Sequence, residues 1–183
     1  METIELLQTR RSNKKLVAPA PNKEQLAQIF QAALRAPDHG KLQPYRFVVV
    51  EQEGFTRLAS LLTAAATELN LEEKHFAKVN KICSAPMIIA VVAKIDKTIA
   101  KVPAWEQMLS AGCAAYSVQL AAQDLGFDNV WITGKWVDGA ELRQAFGCAE
   151  NDKVVALILL GTAAERADKE PRAGKLEDFV SYL

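Results

Sequence analysis

The longest apolar stretch of the chain, from Trp105 to Gly126, predicts one long buried helix. The stretch contains no proline, it is rich in strong helix formers, and Gly126 stands where a left-handed C-terminal cap belongs. Since no formal charge occurs between Gln107 and Gln123, the helix lacks a polar face wide enough to meet water. The stretch is too short, and too rich in Ser and Gln, for a membrane span. We expect it to be the central core helix, with one face left for a partner subunit.

Four further stretches have the composition of strands. Residues 45–51 are β-branched or aromatic, and residues 86–94 form a near-continuous apolar run that suits a strand buried on both faces. Residues 129–133 and 153–161 supply the other two strands. Because the segments between strands are long enough for helical crossovers, the chain allows a mixed sheet as well as an antiparallel one.

Amphipathic spacing predicts the remaining helices, at residues 3–10, 22–36, 55–69, 71–83 and 138–147. We expect Ile4, Leu6 and Leu7 to face the core in the first of them. Asn22 is expected to begin the second helix through a capping box, and Asp138 is expected to cap the last one. Long helices among four strands indicate an α+β fold and a single domain over all 183 residues.

Composition and charge narrow the class of protein. Half of the residues are apolar, a quarter are charged, and the formal net charge is zero, which argues against non-specific nucleic-acid binding. The start of the chain has no apolar run, so no signal peptide is expected. The three cysteines lack any C-x-x-C spacing, which favours buried free thiols in a reducing cytoplasm. With only two histidines in the chain, no zinc site is expected.

Short motifs argue against several familiar sites. The chain contains neither G-x-G-x-x-G nor G-x-x-x-x-G-K, so a Rossmann or P-loop nucleotide site is not supported. G-x-S-x-G is absent as well, and no spacing of Ser, His and Asp indicates a catalytic triad. We assign no role to His75 or to the three cysteines.

Three segments could carry a binding site. In residues 10–15, two adjacent guanidiniums and a hydroxyl at a helix end can grip a phosphate, or they merely complement the helix dipole. Residues 35–45 place Asp, His, Lys and Gln between a helix and a strand, either as a functional loop or as an ordinary connection with solvated charges. In residues 131–134, a glycine at a strand end lets the backbone approach a ligand, although it also fits an ordinary strand terminus.

Taken in order, these segments resemble the FMN-dependent nitroreductases, and most closely their small YdjA-like branch. RRS-x-K lies near the N-terminus, L-R-A-P is followed by a loop and Q-P-(aromatic)-x-F, and the long apolar helix ends in LG. A strand ending in W-I-x-G and a final LGT strand complete the order. No single motif is specific, but their order and spacing over nearly the whole length carry the resemblance.

The resemblance implies a nitroreductase-like α+β fold, with a central mixed or antiparallel sheet flanked by helices, and an intertwined homodimer with two FMN sites between the subunits. A dianionic phosphate needs Arg, and the reduced flavin carries negative charge at N1/O2 that a cation stabilises. The implied FMN contacts are Arg10, Arg11 and Ser12 at the phosphate and ribityl chain, Lys14 at the N1/O2 edge, Arg35 and His39 supplied across the subunit interface, and Trp131, Ile132 and Thr133 along the flavin, with a backbone N–H near N5. The segment associated with NAD(P) is Ala121, Ala122, Gln123, Asp124, Leu125 and Gly126.

By the same resemblance, the protein is a cytoplasmic oxidoreductase. NADH or NADPH reduces bound FMN and leaves, and a nitroaromatic, a quinone or a similar small electrophile is then reduced on the same face. This scheme needs no catalytic side chain, because the flavin N5 atom carries the chemistry. The alternative is a flavin-storage or flavin-sensing dimer without nicotinamide-dependent turnover. Family precedent also suggests that residues 179–183 add a strand to the partner's sheet, and it leaves open whether Arg172 or Lys175 contacts the phosphate.

The sequence departs from the family pattern in the loop and the strand that would face the flavin. Asp38, Lys41 and Tyr45 replace the usual Ser, Asn and Trp, and Ile132 stands where close relatives carry Arg. These changes leave FMN as the expected cofactor, and they leave the substrate preference open.

Overall fold

The computed structural model describes residues 2–165 and 174–183. The helices in this part of the chain are α1 (Thr3–Thr9), α2 (Lys23–Ala33), α3 (Gly54–Glu68), α4 (Glu73–Ile82), α5 (Ala104–Asp124) and α6 (Ala140–Ala145). The strands are β1 (Leu16–Val17), β2 (Tyr45–Glu51), β3 (Met87–Ala93), β4 (Asp128–Ile132) and β5 (Lys153–Ala163). Short 3₁₀ turns lie at His39–Lys41, Lys135–Asp138 and Leu176–Asp178. The helices and strands predicted within residues 3–161 are confirmed, and the two-residue β1 is an addition.

The strands form one sheet in which every pairing is antiparallel. Leu157 of β5 pairs with Ala90 of β3 and with Ile132 of β4, so β3 and β4 lie on opposite edges of β5. β2 pairs with β3, and β1 pairs with Thr162 and Ala163 at the end of β5. Of the two sheet types that the sequence allows, the antiparallel one forms. The long connection through α5 brings β4 back in the same direction as β3, but β5 lies between the two strands and runs opposite to both.

Helices cover both faces of the sheet. β3 is buried over all seven of its residues, as its continuous apolar sequence predicts. On one face, Leu58 and Leu62 of α3, Val79 of α4 and Leu142 of α6 pack in a common core with Ala90 of β3. On the other face, α2 and α5 pack against alternate residues of the same strands. The core therefore has two layers, one on each side of the sheet.

The central helix forms as predicted, but it is not buried all round. Ala111 and Ala115 are fully buried, whereas Trp105 and Leu109 are 63% and 59% exposed. Gly126 follows the helix with φ +88°, the left-handed conformation expected of its cap. The outward side of α5 is thus an apolar stripe of the kind that a partner subunit would cover. Within the described residues, no helix combines the length and hydropathy needed to cross a bilayer.

The N-terminal helix and one cysteine are more exposed than the sequence predicts. In α1, Leu6 is buried, but Ile4 and Leu7 are 64% and 41% exposed, because a two-turn helix presents little more than one residue to the core. Cys113 is exposed on α5, so the prediction of a buried thiol is wrong there. The other two cysteines are half-buried free thiols, and burial raises the pKa of each.

The first turn of α6 is capped by a distant side chain. The prediction that Asp138 caps this helix is wrong, because Gly139 occupies the N-cap position and the Asp138 carboxylate lies 3.7 Å from Lys153 Nζ. Glu68, at the end of α3, accepts a hydrogen bond from the Ala140 N–H at 2.9 Å. An acidic side chain from another helix therefore satisfies the free N–H group that a local cap would otherwise bind.

A buried carboxylate joins the loops at one end of the sheet. Asp152 is 2% exposed. Its Oδ1 accepts a hydrogen bond from the Ile95 N–H at 3.0 Å, and its Oδ2 accepts one from the Ala149 N–H at 2.7 Å and pairs with the Lys94 ammonium. Burial by itself raises the pKa of this carboxyl, but the Lys94 ammonium and the two N–H groups outweigh burial and hold the pKa below its usual range. No local sequence pattern marks Asp152, because its partner Lys94 is far from it along the chain.

Candidate functional site

The outer edge of β4 carries two of the three candidate segments. Residues 10–15 are anchored at this edge through Asn13: the Asn13 N–H donates to the Asn129 carbonyl oxygen at 2.9 Å, and Asn13 Nδ2 donates to Asp128 Oδ2 at 2.8 Å. Residues 131–133 continue the same edge toward the end of the strand. The structure therefore anchors the N-terminal polar cluster at the start of the strand that ends in W-I-T, although Asn13 and Asp128 are 115 residues apart in the chain.

Two residues to which the sequence assigns no role hold this segment in place. Asn13 Oδ1 accepts a hydrogen bond from the Lys15 N–H at 2.8 Å, and the Lys15 carbonyl oxygen accepts one from the Ala164 N–H at 2.9 Å. Lys15 also forms an ion pair with Glu165. Lys14, one position earlier, is exposed. The position of Asn13 inside the polar cluster is the sequence signal that could have identified it as an anchor.

Arg10 places a charged group in a half-buried position at the end of α1. Its N–H donates to the Leu6 carbonyl oxygen at 2.9 Å, which closes the helix. Its Nη1 is buried and has no hydrogen-bond partner among the described residues. A buried charged donor without an acceptor is costly, and a phosphate oxygen would supply both the acceptor and the opposite charge. Arg11 is half-buried and Ser12 is exposed beside it, so the segment fits a phosphate-bearing ligand such as FMN.

Trp131 is fixed by an irregularity in β5. The register between β3 and β5 shifts at Val155, which is the extra residue of a β-bulge. Its carbonyl oxygen accepts a hydrogen bond from Trp131 Nε1 at 3.1 Å. Trp131 packs with the α2 and α5 face of the core, Ile132 packs with the opposite face, and Thr133 is exposed. The side chains of the three residues therefore lie in three different surroundings at the strand end: one core, the opposite core and solvent.

Backbone N–H groups at the end of β4 point to its outer edge. Asn129 turns its carbonyl oxygen outward, toward Asn13. Since backbone directions repeat every two residues along a strand, the N–H group of Trp131 points outward as well, and Thr133 is the first residue after the strand. This direction agrees with a backbone N–H placed near the flavin N5 atom, and that contact stays a prediction.

A buried amide pair holds β4 against the central helix. Gln119 Nε2 donates to Asn129 Oδ1 at 2.8 Å, and Asn129 Nδ2 donates to the Gln119 carbonyl oxygen at 3.0 Å. The two residues are 3% and 0% exposed. This pair was not predicted from the sequence. The signal that could have identified it is the polar Gln119 amide in an otherwise apolar helix, since buried amides need partners.

The structure keeps His39 away from the phosphate cluster of the same protomer. His39 Nδ1 lies 2.6 Å from Glu106 Oε2, in the first turn of α5. Leu6 of α1 instead lines a shallow cleft with Leu120, near the other end of α5. At 1.5 Å per residue, these two positions on α5 are about 20 Å apart. This separation agrees with a flavin site that receives its His39 from the partner subunit. That contribution of His39, and the same contribution of the exposed Arg35, stay predictions.

The loop before β2 has an unusual backbone. Gly40, Lys41 and Gln43 have φ of +80°, +56° and +47°, and Asp38 Oδ2 accepts a hydrogen bond from the Gln43 N–H at 2.6 Å. Burial raises the pKa of Tyr45, and the Asp38 charge raises it further. Two of the departures from the family pattern, Asp38 and Tyr45, therefore act on each other electrostatically.

The segment that the resemblance associates with NAD(P) is the last turn of α5 and its cap. Ala122 is buried, whereas Ala121, Gln123 and Leu125 are half-buried. Gln123 Oε1 is buried without a hydrogen-bond partner among the described residues. The Gly126 N–H donates to the Gln123 carbonyl oxygen at 3.0 Å and closes the helix. The role of this segment in NAD(P) binding stays a prediction.

The C-terminal residues that the resemblance associates with the phosphate and with the partner's sheet lie only partly within the described residues. Arg172 lies outside the described residues, and Lys175 is exposed. Phe179 and Tyr182 are 80% and 93% exposed, and residues 174–183 form a 3₁₀ turn and no strand of their own sheet. Their pairing with a partner's sheet stays a prediction. Within residues 2–165 and 174–183, no three His, Cys, Asp or Glu side chains are grouped so that they could hold a metal ion.

Comparisons with known proteins show what the chain is similar to. The model of the Nitroreductase family matches residues 7–162. A protein of Haemophilus influenzae is 60% identical over 184 residues, and one of Escherichia coli strain K12 is 42% identical over 184 residues; each alignment covers 100% of both chains. Both relatives bear the name "Putative NAD(P)H nitroreductase", the second with the suffix YdjA. The resemblance to the YdjA-like branch is therefore confirmed.

A solved structure supports the fold. The FMN and NADPH-dependent nitroreductase NfnB from Sphigopyxis sp. strain HMH matches with a TM-score of 0.74, over 100% of this chain and 99% of that chain. Since the two sequences are only 20% identical, this match shows the shared α+β fold and no more.

Proposed function

Because the chain belongs to the nitroreductase family, we propose that it is a cytoplasmic FMN-dependent oxidoreductase whose 183 residues act as one domain in a homodimer. When bound, FMN supplies two-electron chemistry in ping-pong order, from NADH or NADPH to a small electrophile such as a nitroaromatic or a quinone. The protein's own residues bind the cofactor and orient it. No metal, nucleic acid or membrane takes part in the proposed reaction.

The orphaned Arg10 nitrogen, in the segment along the outer edge of β4, carries this proposal. Arg10, Arg11 and Ser12 would bind the phosphate and the ribityl chain, because guanidiniums form strong charge-assisted hydrogen bonds to phosphate. On the same edge, the outward N–H group of Trp131 and the backbone of Thr133 would face the flavin ring. The N-terminal segment and the end of β4 therefore offer a cation and backbone donors, the two kinds of group that the phosphate and the ring of FMN need.

The apolar stripe on α5 supports the homodimer. Trp105 and Leu109 would be costly to leave in water on a stable monomer, and a second copy would bury them. Glu106, which holds His39, lies beside this stripe. Association through the stripe would therefore let His39 and the exposed Arg35 of one protomer reach the flavin site of the other.

Anaerobic reduction of the purified protein tests the proposal. We expect a yellow protein that retains FMN and loses its flavin absorbance when NADH or NADPH is added, because hydride transfer to the flavin removes the oxidised chromophore. An anaerobic screen of nitroaromatics and quinones then identifies acceptors by the return of that absorbance. A colourless protein that does not take up added FMN would contradict the proposal.

A flavin-storage or flavin-sensing dimer is the alternative. Such a protein would bind FMN through the same phosphate contacts, but neither nicotinamide would reduce it under anaerobic conditions. Substitutions in the segment from Ala121 to Gly126, which we propose as part of the NAD(P) contact, would then leave unchanged the flavin absorbance that is measured after NADH or NADPH is added. The same anaerobic titration therefore separates the enzyme from the storage protein.

Replacing Lys14 with alanine is expected to lower the midpoint potential of bound FMN by about 30 mV or more, equivalent to a tenfold change in equilibrium. The reduced flavin carries negative charge at N1/O2, so loss of a nearby cation disfavours reduction. Spectroelectrochemical titration measures the shift. Lys78→Ala is the matched control, because Lys78 is exposed on α4, on the face of the sheet opposite α2 and α5, and is expected to leave the potential unchanged. Equal shifts in both variants would show that Lys14 has no specific place at the flavin.

A further inference from the structure

The 3₁₀ turn that follows β4 packs on the strand end through a close contact between a tryptophan and a glycine. Trp136 is 4% exposed, and a Cβ built on Gly134 would lie 1.9 Å from its Cζ3 and 2.1 Å from its Cε3. The six-membered part of the indole therefore lies directly on the Gly134 backbone. Gly134 has φ −167°, an extended conformation open to any residue, so the lack of space requires glycine here.

Helices α3 and α4 hold this turn in place. The ring of His75, on α4, meets the Trp136 ring edge to face, with centroids 5.4 Å apart. At the other end of the turn, a Cβ built on Gly139 would lie 2.3 Å from Ala65 Cβ, so the backbone packs directly on α3. Trp136 Nε1 is buried without a hydrogen-bond partner among the described residues, and packing therefore holds the ring.

We propose that Trp136 is a positioning residue for the flavin, acting through its contact with the Gly134 backbone. Thr133 and Gly134 come directly after β4, so they continue the backbone from Trp131, whose N–H points to the edge that would face the ring. The indole belongs to the core on the α3 and α4 face of the sheet, so it sets the position of this backbone from that face. The inference rests on the proposed function, which assigns the end of β4 to FMN.

Two glycine substitutions form the first test. Gly134→Ala and Gly147→Ala each add a methyl group where a neighbouring atom lies within 2.7 Å, so a purely structural role predicts similar effects of both. We expect Gly134→Ala to raise the FMN dissociation constant about tenfold, because a displaced strand end loses a hydrogen bond to the flavin. Gly147, which follows α6 with φ +67°, is outside the turn that carries Trp136, so Gly147→Ala is expected to lower the melting temperature and to leave the dissociation constant close to that of the wild type. Flavin fluorescence titration measures both.

A second pair of variants makes the test independent of steric clashes. Trp136→Phe removes the indole atoms that touch Gly134 without adding volume, and Phe146→Leu shortens another residue of the same core, 3% exposed in the wild type. We expect Trp136→Phe to raise the FMN dissociation constant, to shift the flavin midpoint potential and to speed amide hydrogen exchange at residues 131–134. Phe146→Leu is expected to change only the melting temperature.

Equal FMN dissociation constants and midpoint potentials in Trp136→Phe and Phe146→Leu, with unchanged exchange at residues 131–134, would overturn the positioning role. Equal effects of the two glycine substitutions on FMN binding would overturn it as well. A wild-type protein that does not bind FMN would instead overturn the proposed function. The two failures are therefore distinguishable before any variant is made.

Discussion

Replacing Asp152 with alanine is expected to lower the free energy of unfolding by about 3–5 kcal/mol. The substitution removes the acceptors of the Ile95 and Ala149 N–H groups and the partner of the Lys94 ammonium. Each buried donor that loses its acceptor costs about 1–3 kcal/mol, which accounts for most of the effect. Urea unfolding followed by circular dichroism measures the loss as a lower midpoint with an unchanged slope.

Asp138→Ala is the control for this substitution. Asp138 also has a lysine partner, Lys153, at 3.7 Å, but its side chain is 58% exposed. Exposed ion pairs contribute little, so we expect a change of less than about 1 kcal/mol. If the two substitutions lowered the free energy of unfolding equally, burial and the N–H contacts of Asp152 would not explain its importance.

The Asp152 carboxyl also predicts a pH dependence. Its pKa in the folded protein is held below its usual range, so the charged carboxylate stabilises the fold above the unfolded pKa of about 3.9. This contribution is lost as the pH falls through the folded pKa. The difference in unfolding free energy between wild type and Asp152→Ala is therefore expected to be constant above about pH 5 and to shrink below about pH 4. A difference that persisted undiminished in stronger acid would contradict this explanation.

Replacing Arg10 with alanine is expected to weaken FMN binding by about 1–3 kcal/mol, or about 5- to 150-fold in the dissociation constant. Arg10 Nη1 is buried without a partner among the described residues, so binding would satisfy a donor that is otherwise unpaired. Ser12→Ala is expected to weaken binding in the same direction, through the loss of one hydroxyl. Fluorescence titration of FMN into the apoprotein measures both effects.

Arg57→Ala is the matched control for the phosphate site. Arg57 is exposed on α3, on the face of the sheet opposite α2 and α5, and it is expected to leave FMN affinity unchanged. Equal weakening by Arg10→Ala and Arg57→Ala would point to a general effect of positive charge. Unchanged affinity in both Arg10→Ala and Ser12→Ala would remove the phosphate assignment from this segment.

Local patterns were sufficient to identify the secondary structure. The continuous apolar run of β3 predicts burial on both faces, and Asn22 forms its capping box with Gln25 at the start of α2. The order of the three segments was also sufficient to identify the family. These features are determined by residues within a few positions of one another, so a single sequence contains all the information they need.

The arrangement of the site depended on contacts between distant residues. The candidate residues 10–15 and 131–133 could be named from the sequence, but their common edge exists because Asn13 bonds to Asp128 and Asn129. The contact of His39 with Glu106 likewise joins positions 67 residues apart. No local pattern indicates such pairs, because the partner of a polar side chain is chosen by the packing of the whole chain.

The sequence by itself determined the elements, the α+β class, the family and the list of residues that could meet a flavin. Only the tertiary structure decided that the sheet is antiparallel, that Asp152 joins Lys94 to two loops, that Val155 accepts from Trp131, and that Gly134 must be small because Trp136 lies on it. The physical reason is that hydrophobic periodicity is a local property of the chain. Hydrogen-bond partners and free space arise when segments far apart in the sequence pack together.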